Sequence, residues 1–260
     1  MTRIPLYQVD AFTSKVFGGN PAAVCPLEEW PPDAVMQSIA SENNLSETAF
    51  FIDRGDHFDL RWFTPAAEVD LCGHATLATA WVLFNELGIE TPEVGFDTLS
   101  GRLTVRNGGD WLVMDFPARP PERIEPSPTL AEALGRVPHE VLCRENCLAV
   151  FESEEEVRGL RPDIARIGAL DFHGVIVSAP GEEVDFVSRY FAPKFGIPED
   201  PVTGSAHCEL MPYWANRLGS TKLTARQISA RGGELRLELA GERVRIGGRA
   251  AKFLEGIIDF

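Results

Sequence analysis

Long apolar runs are missing from this sequence. No stretch approaches the roughly 18 residues that a membrane-spanning helix needs, and Met1-Thr2-Arg3-Ile4-Pro5 at the start has no apolar signal-type segment. The chain is therefore expected to be soluble and cytoplasmic, with no membrane partner. Cysteine is sparse and odd in number, five residues scattered at positions 25, 72, 143, 147 and 208. Cys143 and Cys147 make a single pair, with no second pair and no histidine at zinc-finger spacing, so a structural metal is not expected. Nothing resembles a disulfide framework. Positive charge is also in deficit: 24 Lys and Arg against 39 Asp and Glu, a net −15. That balance argues against nucleic acid and anionic membranes as partners. It does not weigh against a small acidic substrate, because a helix end or a single arginine acts locally; the acidic excess serves solubility. The Gly-rich loop Phe17-Gly18-Gly19-Asn20-Pro21 lacks the order Gly-x-Gly-x-x-Gly and a following Lys-Ser/Thr. Neither a dinucleotide fingerprint nor a phosphate-binding loop is present.

What the chain does have is a motif used twice. Glu199-Asp200-Pro201-Val202-Thr203-Gly204-Ser205-Ala206-His207 leads into the apolar run Leu210 to Leu218. It reads as a tight turn opening a helix. Pro201 fixes φ, Gly204 lets another group approach the backbone, and Ser205 adds a hydroxyl at the helix start. The unpaired N–H groups and the positive end of the dipole suit an anion, although one such turn is equally an ordinary capped helix start. The second copy is Cys72-Gly73-His74-Ala75-Thr76 before Leu77 to Leu83. Arg61-Trp62-Phe63-Thr64-Pro65 precedes the one and Arg189-Tyr190-Phe191-Ala192-Pro193 the other. Two halves on one plan imply a duplicated architecture, with two helix N-termini able to hold a small acid from both sides.

At 260 residues the chain fits two domains of ordinary size. Pro117 to Pro128 contains five prolines among twelve residues and is the best linker. The domains are placed at 1–118 and 119–260, with the destination of the final strand, 250–258, left open. Alternation and turn residues mark strands over Leu6 to Phe12, Ala22 to Cys25, Thr48 to Ile52, His57 to Phe63, Phe96 to Val105 and Trp111 to Phe116. The central helices are expected over 74–87, with Gly88 near its cap, and over 205–218. Glu152 to Gly159 reads as merely polar and acidic. Glu47 stands where a loop enters a buried strand. Desolvation strengthens a carboxylate's hold on a proton, as a general base matched to neutral pH requires; a surface Glu at a strand end is the plainer alternative.

Five stretches in order resemble the phenazine-biosynthesis isomerase (PhzF-like) family of the diaminopimelate epimerase superfamily. They are Val9-Asp10-Ala11-Phe12-Thr13, Phe17 to Val24, Asn44-Leu45-Ser46-Glu47-Thr48-Ala49-Phe50, Arg61 to Leu77 and Glu199 to His207. The resemblance implies an α+β, diaminopimelate epimerase-like fold: two pseudo-symmetric domains, each a mostly antiparallel sheet or open barrel around a central helix. The active site would lie between them. It implies no metal, no organic cofactor and a homodimer. Epimerases of this superfamily use two thiols; here Cys72 precedes Gly73, but Thr203 precedes Gly204, and Thr is too weak an acid to complete the pair. PhzF-like members use a carboxylate, and Glu47 occupies that position, implying that it carries a proton from one carbon to another while double bonds move. His74 and Asp200 match substrate-holding residues; Gly73, Gly204 and Ser205 would grip a substrate carboxylate. His207 is near but behind them. His57, His139 and His173 are outside the motifs.

The function this resemblance implies is a cofactor-independent isomerase. It would act on a small unsaturated amino or hydroxy acid and resemble trans-2,3-dihydro-3-hydroxyanthranilate isomerase. An amino-acid racemase or epimerase of the same fold, and a non-catalytic protein that binds a small carboxylic acid, are the alternatives.

Overall fold

The computed structural model describes residues 2–260. The first elements are β1 (Arg3–Ala11), β2 (Asn20–Leu27), α1 (Asp33–Asn43), β3 (Glu47–Asp53), β4 (Phe58–Phe63), β5 (Glu68–Val69), α2 (Gly73–Asn85), β6 (Glu93–Thr98), β7 (Gly101–Asn107) and β8 (Leu112–Pro117). Next come β9 (Glu122–Arg123), α3 (Pro128–Leu134), β10 (Glu140–Cys143), β11 (Cys147–Val150), α4 (Glu154–Gly159), α5 (Ile164–Ala169), β12 (Val175–Pro180) and β13 (Phe186–Ala192). The chain closes with β14 (Ile197–Asp200), α6 (Gly204–Leu218), β15 (Lys222–Gln227), β16 (Gly233–Ala240), β17 (Arg243–Gly248) and β18 (Ala250–Asp259). Two compact units result: Met1–Asp115 with Gly247–Phe260, and Phe116–Ile246.

The duplicated motif is matched by duplicated strand pairing. In the first unit β1 and β2 are antiparallel, β2 and β3 parallel, β3 and β4 antiparallel, β4 and β6 parallel, and β6 and β7 antiparallel. In the second unit β10, β11, β12, β13, β15 and β16 follow one another with the same alternation of directions. The repeated arginine also has one role in both. Arg61 grips Glu68 with two N–H groups, each at 2.7 Å, and lies over the Phe63 ring at 5.2 Å. Arg189 grips Glu199 at 2.7 and 3.0 Å and lies over Phe191 at 5.0 Å. A two-pronged guanidinium–carboxylate contact fixes direction as well as distance, and here it holds the chain that leads into each central helix.

Helix α2 is apolar or small nearly all round and is buried along most of its length. Such a helix must be enclosed, and α2 packs on β1, β2 and β3. Helix α6 is buried from Gly204 to Met211 except at Ser205. Pro212 inside it offers no N–H to the carbonyl four residues back, and the Arg119 backbone N–H donates to that Cys208 oxygen instead, at 2.9 Å. Trp214 stacks on Phe186 of β13 at 5.5 Å and donates its indole N–H to Ser178 at 3.0 Å. Gly219 ends the helix at φ 67°, the left-handed conformation glycine takes without strain.

Several expectations are corrected. Phe96 to Val105 is two strands rather than one, because the chain turns at Leu99-Ser100 and Thr98 pairs with Gly101. Helix α2 spans Gly73–Asn85 rather than 74–87, and Gly88, at φ 68°, follows its cap residue Glu86 by two positions. The acidic stretch 152–159 contains α4, started by the Ser153 hydroxyl accepting from the Glu156 N–H; three glutamates in the first turn complement the positive helix end. The proline-rich stretch is not a bare linker, since Glu122 and Arg123 pair with β10. The final strand pairs with β1, from Arg3 opposite Asp259 to Ala11 opposite Ala250, and so belongs to the first unit.

Candidate active site

In the first unit the loop before β2 is tied down from both sides. Asp10, which is buried, accepts the Phe17 backbone N–H at 2.8 Å. Gly19 takes φ 61°, and a Cβ there would stand 2.0 Å from the Ala11 carbonyl oxygen, so only glycine fits. Asn20 then opens β2 and Glu47 opens the parallel β3, with Ala22 opposite Glu47. Cys72 is the N-cap residue of α2 and makes no side-chain cap; Gly73 and His74 are the first two helical residues. Strand ends and helix start thus deliver Asn20, Glu47, Cys72 and His74 to one place.

His74 is the centre of this group. Its Nε2 lies 3.0 Å from Glu47 Oε2, and its Nδ1 lies 3.2 Å from Asn20 Nδ2 and 3.5 Å from Cys72 Sγ. Ser46 in turn donates its hydroxyl to Asn20 Oδ1 at 3.0 Å. Glu47 and His74 are only 8% and 6% exposed. Their close approach is not aligned as a hydrogen bond, and neither Glu47 Oε2 nor His74 Nε2 has another partner. The two atoms face only each other, and an incoming ligand can take up the hydrogen-bonding capacity that this contact leaves unused. Burial opposes charging His74. The Cys72 sulfur and the Glu47 carboxylate outweigh it, and the imidazole is held well above its ordinary pKa. The Cys72 thiol is itself pushed up, by burial first and by Glu47 second.

Among the described residues, Glu47, Cys72 and His74 are the one set whose ligand-type atoms lie within 4.8 Å of one another. The sulfur and the carboxylate approach different nitrogens of the one ring, whereas an ion would take only one of those nitrogens. The arrangement is that of a carboxyl and a thiol placed on opposite nitrogens of one imidazole.

The remaining expected site residues lie in the second unit. Asp200 ends β14, is buried, and accepts a short hydrogen bond from the Thr203 hydroxyl. Gln227 braces both: its Nε2 donates to the Asp200 carbonyl at 2.8 Å and to Thr203 Oγ1 at 3.1 Å, and its Oε1 accepts the Thr203 N–H at 2.9 Å. Gly204 is buried and Ser205 exposed at the start of α6. Thr203 provides no side-chain cap. The short helices α3, α4 and α5 are capped by Ser127, Ser153 and Asp163; the two central helices present uncapped N–H groups. His207 donates Nδ1–H to the Thr203 carbonyl at 2.8 Å and stacks on Phe186. Burial takes its pKa down to about 4, against a smaller upward pull from that carbonyl, so it is neutral at pH 7. His57 sits among Asp56, Asp59 and Asp97, and His139 faces Glu152.

Motif reading missed Asn20, Ser46 and Gln227 as supporting residues. Asn20 stands inside a quoted motif, but its signal is only that of a turn residue.

Residues 9–256 match the family model described as phenazine biosynthesis-like protein. The chain belongs to that family. It is 52% identical over 255 residues to an uncharacterized isomerase of Pseudomonas aeruginosa, covering 98% of each. The crystal structure of a PhzF-family phenazine biosynthesis protein from Enterococcus faecalis is 50% identical, covers all of both chains and superposes with a TM-score of 0.98. A hydroxyproline epimerase from Agrobacterium vitis, at 12% identity and a TM-score of 0.60, shares the fold. The PhzF-like chain is an isomerase on an α+β, epimerase-like fold.

Proposed function

We propose that this isomerase moves a proton and double bonds within a small unsaturated amino or hydroxy acid, in a reaction resembling trans-2,3-dihydro-3-hydroxyanthranilate isomerisation. The observation that carries the reading is the buried contact of Glu47 Oε2 with His74 Nε2, both without another partner. Glu47 acts as the base. Its carboxylate removes a proton from one carbon and returns it to another, and it needs no activator beyond the imidazole beside it. His74 supplies positive charge while negative charge spreads over the substrate. The uncapped N-terminus of α2, through the Gly73 N–H, suits the substrate carboxylate. Asp200, Gly204 and Ser205 are assigned substrate-holding roles, as the family resemblance implies. The racemase reading loses support from the raised pKa of Cys72, a thiol kept protonated by its surroundings, and from the hydroxyl at Thr203.

The test is proton NMR of trans-2,3-dihydro-3-hydroxyanthranilate with the protein in D2O, wild type beside Glu47→Gln. Conversion with deuterium uptake by the wild type, reduced about 10²–10⁴-fold in the variant, is the expected outcome. Carboxylate binding without turnover by either protein, on this and other unsaturated acids, would favour a binding protein instead.

A further inference from the structure

The Cys143–Cys147 pair plays no part in the chemistry above. Both thiols are free, and they stand directly opposite each other across the β10–β11 hairpin. The Cys147 N–H points away from β10 and donates to the Gly174 carbonyl at 3.0 Å. The Ile124 N–H likewise takes the Val141 carbonyl on the far side of β10, at 3.0 Å. Cys143 and Cys147 are therefore a non-hydrogen-bonded cross-strand pair, the kind whose Cα atoms lie about 4.5 Å apart with side chains on one face. A disulfide accepts Cα separations of about 4.4–6.8 Å. We propose that Cys143 and Cys147 form a modification site, an oxidisable pair that closes into a cross-strand disulfide.

The two thiols differ in access. Cys143 is half-buried beside the exposed loop residues Arg144 and Glu145, and Cys147 is fully buried. Cys143 is thus the residue an oxidant meets first. With a low-molecular-weight disulfide as oxidant, the Cys143 thiolate attacks one of its sulfurs and releases the other half as a thiolate. The Cys147 thiolate then attacks the Cys143 sulfur and expels the second half. Two thiol protons leave the protein and two electrons pass to the oxidant, which ends as two thiols. Burial raises the pKa of both cysteines, that of Cys147 to about 12, so few thiolates are present and closure is slow. Proximity selects this pair, since Cys25, Cys72 and Cys208 are buried on other elements. The bond would close around the three-residue turn that carries Asn146, whose side chain donates to Glu209 at 2.6 Å and accepts from Tyr190 at 3.0 Å.

The experiment is incubation of the native wild-type protein with oxidised glutathione, followed by thiol titration after unfolding and by tryptic mapping. Trypsin cuts after Arg144, between the two cysteines, so the bond joins the peptides 137–144 and 145–158. The expected result is a fall from five thiols to three, the linked peptide pair, and return to five with dithiothreitol. In Cys147→Ser, Cys143 should instead retain one glutathione as a stable adduct. Five thiols remaining in the folded wild type, or lost thiols mapping to any other cysteine or to glutathione adducts alone, would overturn the assignment.

Discussion

The strongest stability prediction concerns Glu209, which lies on the buried face of α6 at 1% exposure. One oxygen, Oε1, accepts from Asn146; the other, Oε2, has no partner. Burial drives its pKa from the ordinary 4.5 up to about 7, with the Asn146 contacts and Arg119 pulling down and Glu145 adding a smaller push upward. Between those two values the folded chain holds a proton here that the unfolded chain has lost. The protonated group's contribution is therefore complete below about pH 4.5 and is lost as pH rises through about 7. The difference amounts to about 3 kcal/mol. Glu209→Gln keeps an acceptor for Asn146 and cannot ionise, so it should abolish that slope. Trp214 is the single tryptophan of the second unit, one helical turn or so from position 209. Urea unfolding at steps from about pH 4.5 to 8, read by fluorine NMR of 5-fluorotryptophan at position 214, isolates this unit. The stability difference between wild type and variant should shift by about 3 kcal/mol in the variant's favour across the range. A difference independent of pH would show that Glu209 is already ionised in the fold, and would refute the reasoning.

Two further outcomes follow from the first unit. Cys72→Ala should leave proton exchange near the wild-type rate, measured by deuterium uptake. A loss as large as that of Glu47→Gln would make the thiol part of the chemistry and revive the racemase reading. Asn20→Leu removes the partner of His74 Nδ1 and of the Ser46 hydroxyl, and should cost about 1–3 kcal/mol in chemical unfolding. Ser46→Ala, which leaves the amide in place, should cost less; equal losses would mean that the Asn20–His74 contact adds nothing.

Some of this protein is determined by sequence alone. The duplication is legible because Arg61-Trp62-Phe63 and Arg189-Tyr190-Phe191 repeat residue types whose role is local: each arginine reaches its own phenylalanine and a nearby glutamate. The starts of α2 and α6 are legible for the same reason, since glycine followed by small residues and an apolar run is a short-range rule. Glu47 and His74 are legible as members of a family pattern. Only the tertiary structure decides what depends on register and distance. Asn20 meets His74 from 54 positions away because β2 runs parallel to β3 behind α2. Glu209 reads as one polar residue in a helix until α6 is enclosed and its carboxylate is shut away from water. The last strand has the same alternation wherever it pairs; β1 receives it through a ladder reaching from one end of the chain to the other. Cys143 and Cys147 are a three-residue spacing in sequence, and a single shift in the hairpin register would turn one of them to the opposite face. Local rules place elements; long-range pairing places side chains against each other, and the chemistry of this chain resides in the latter.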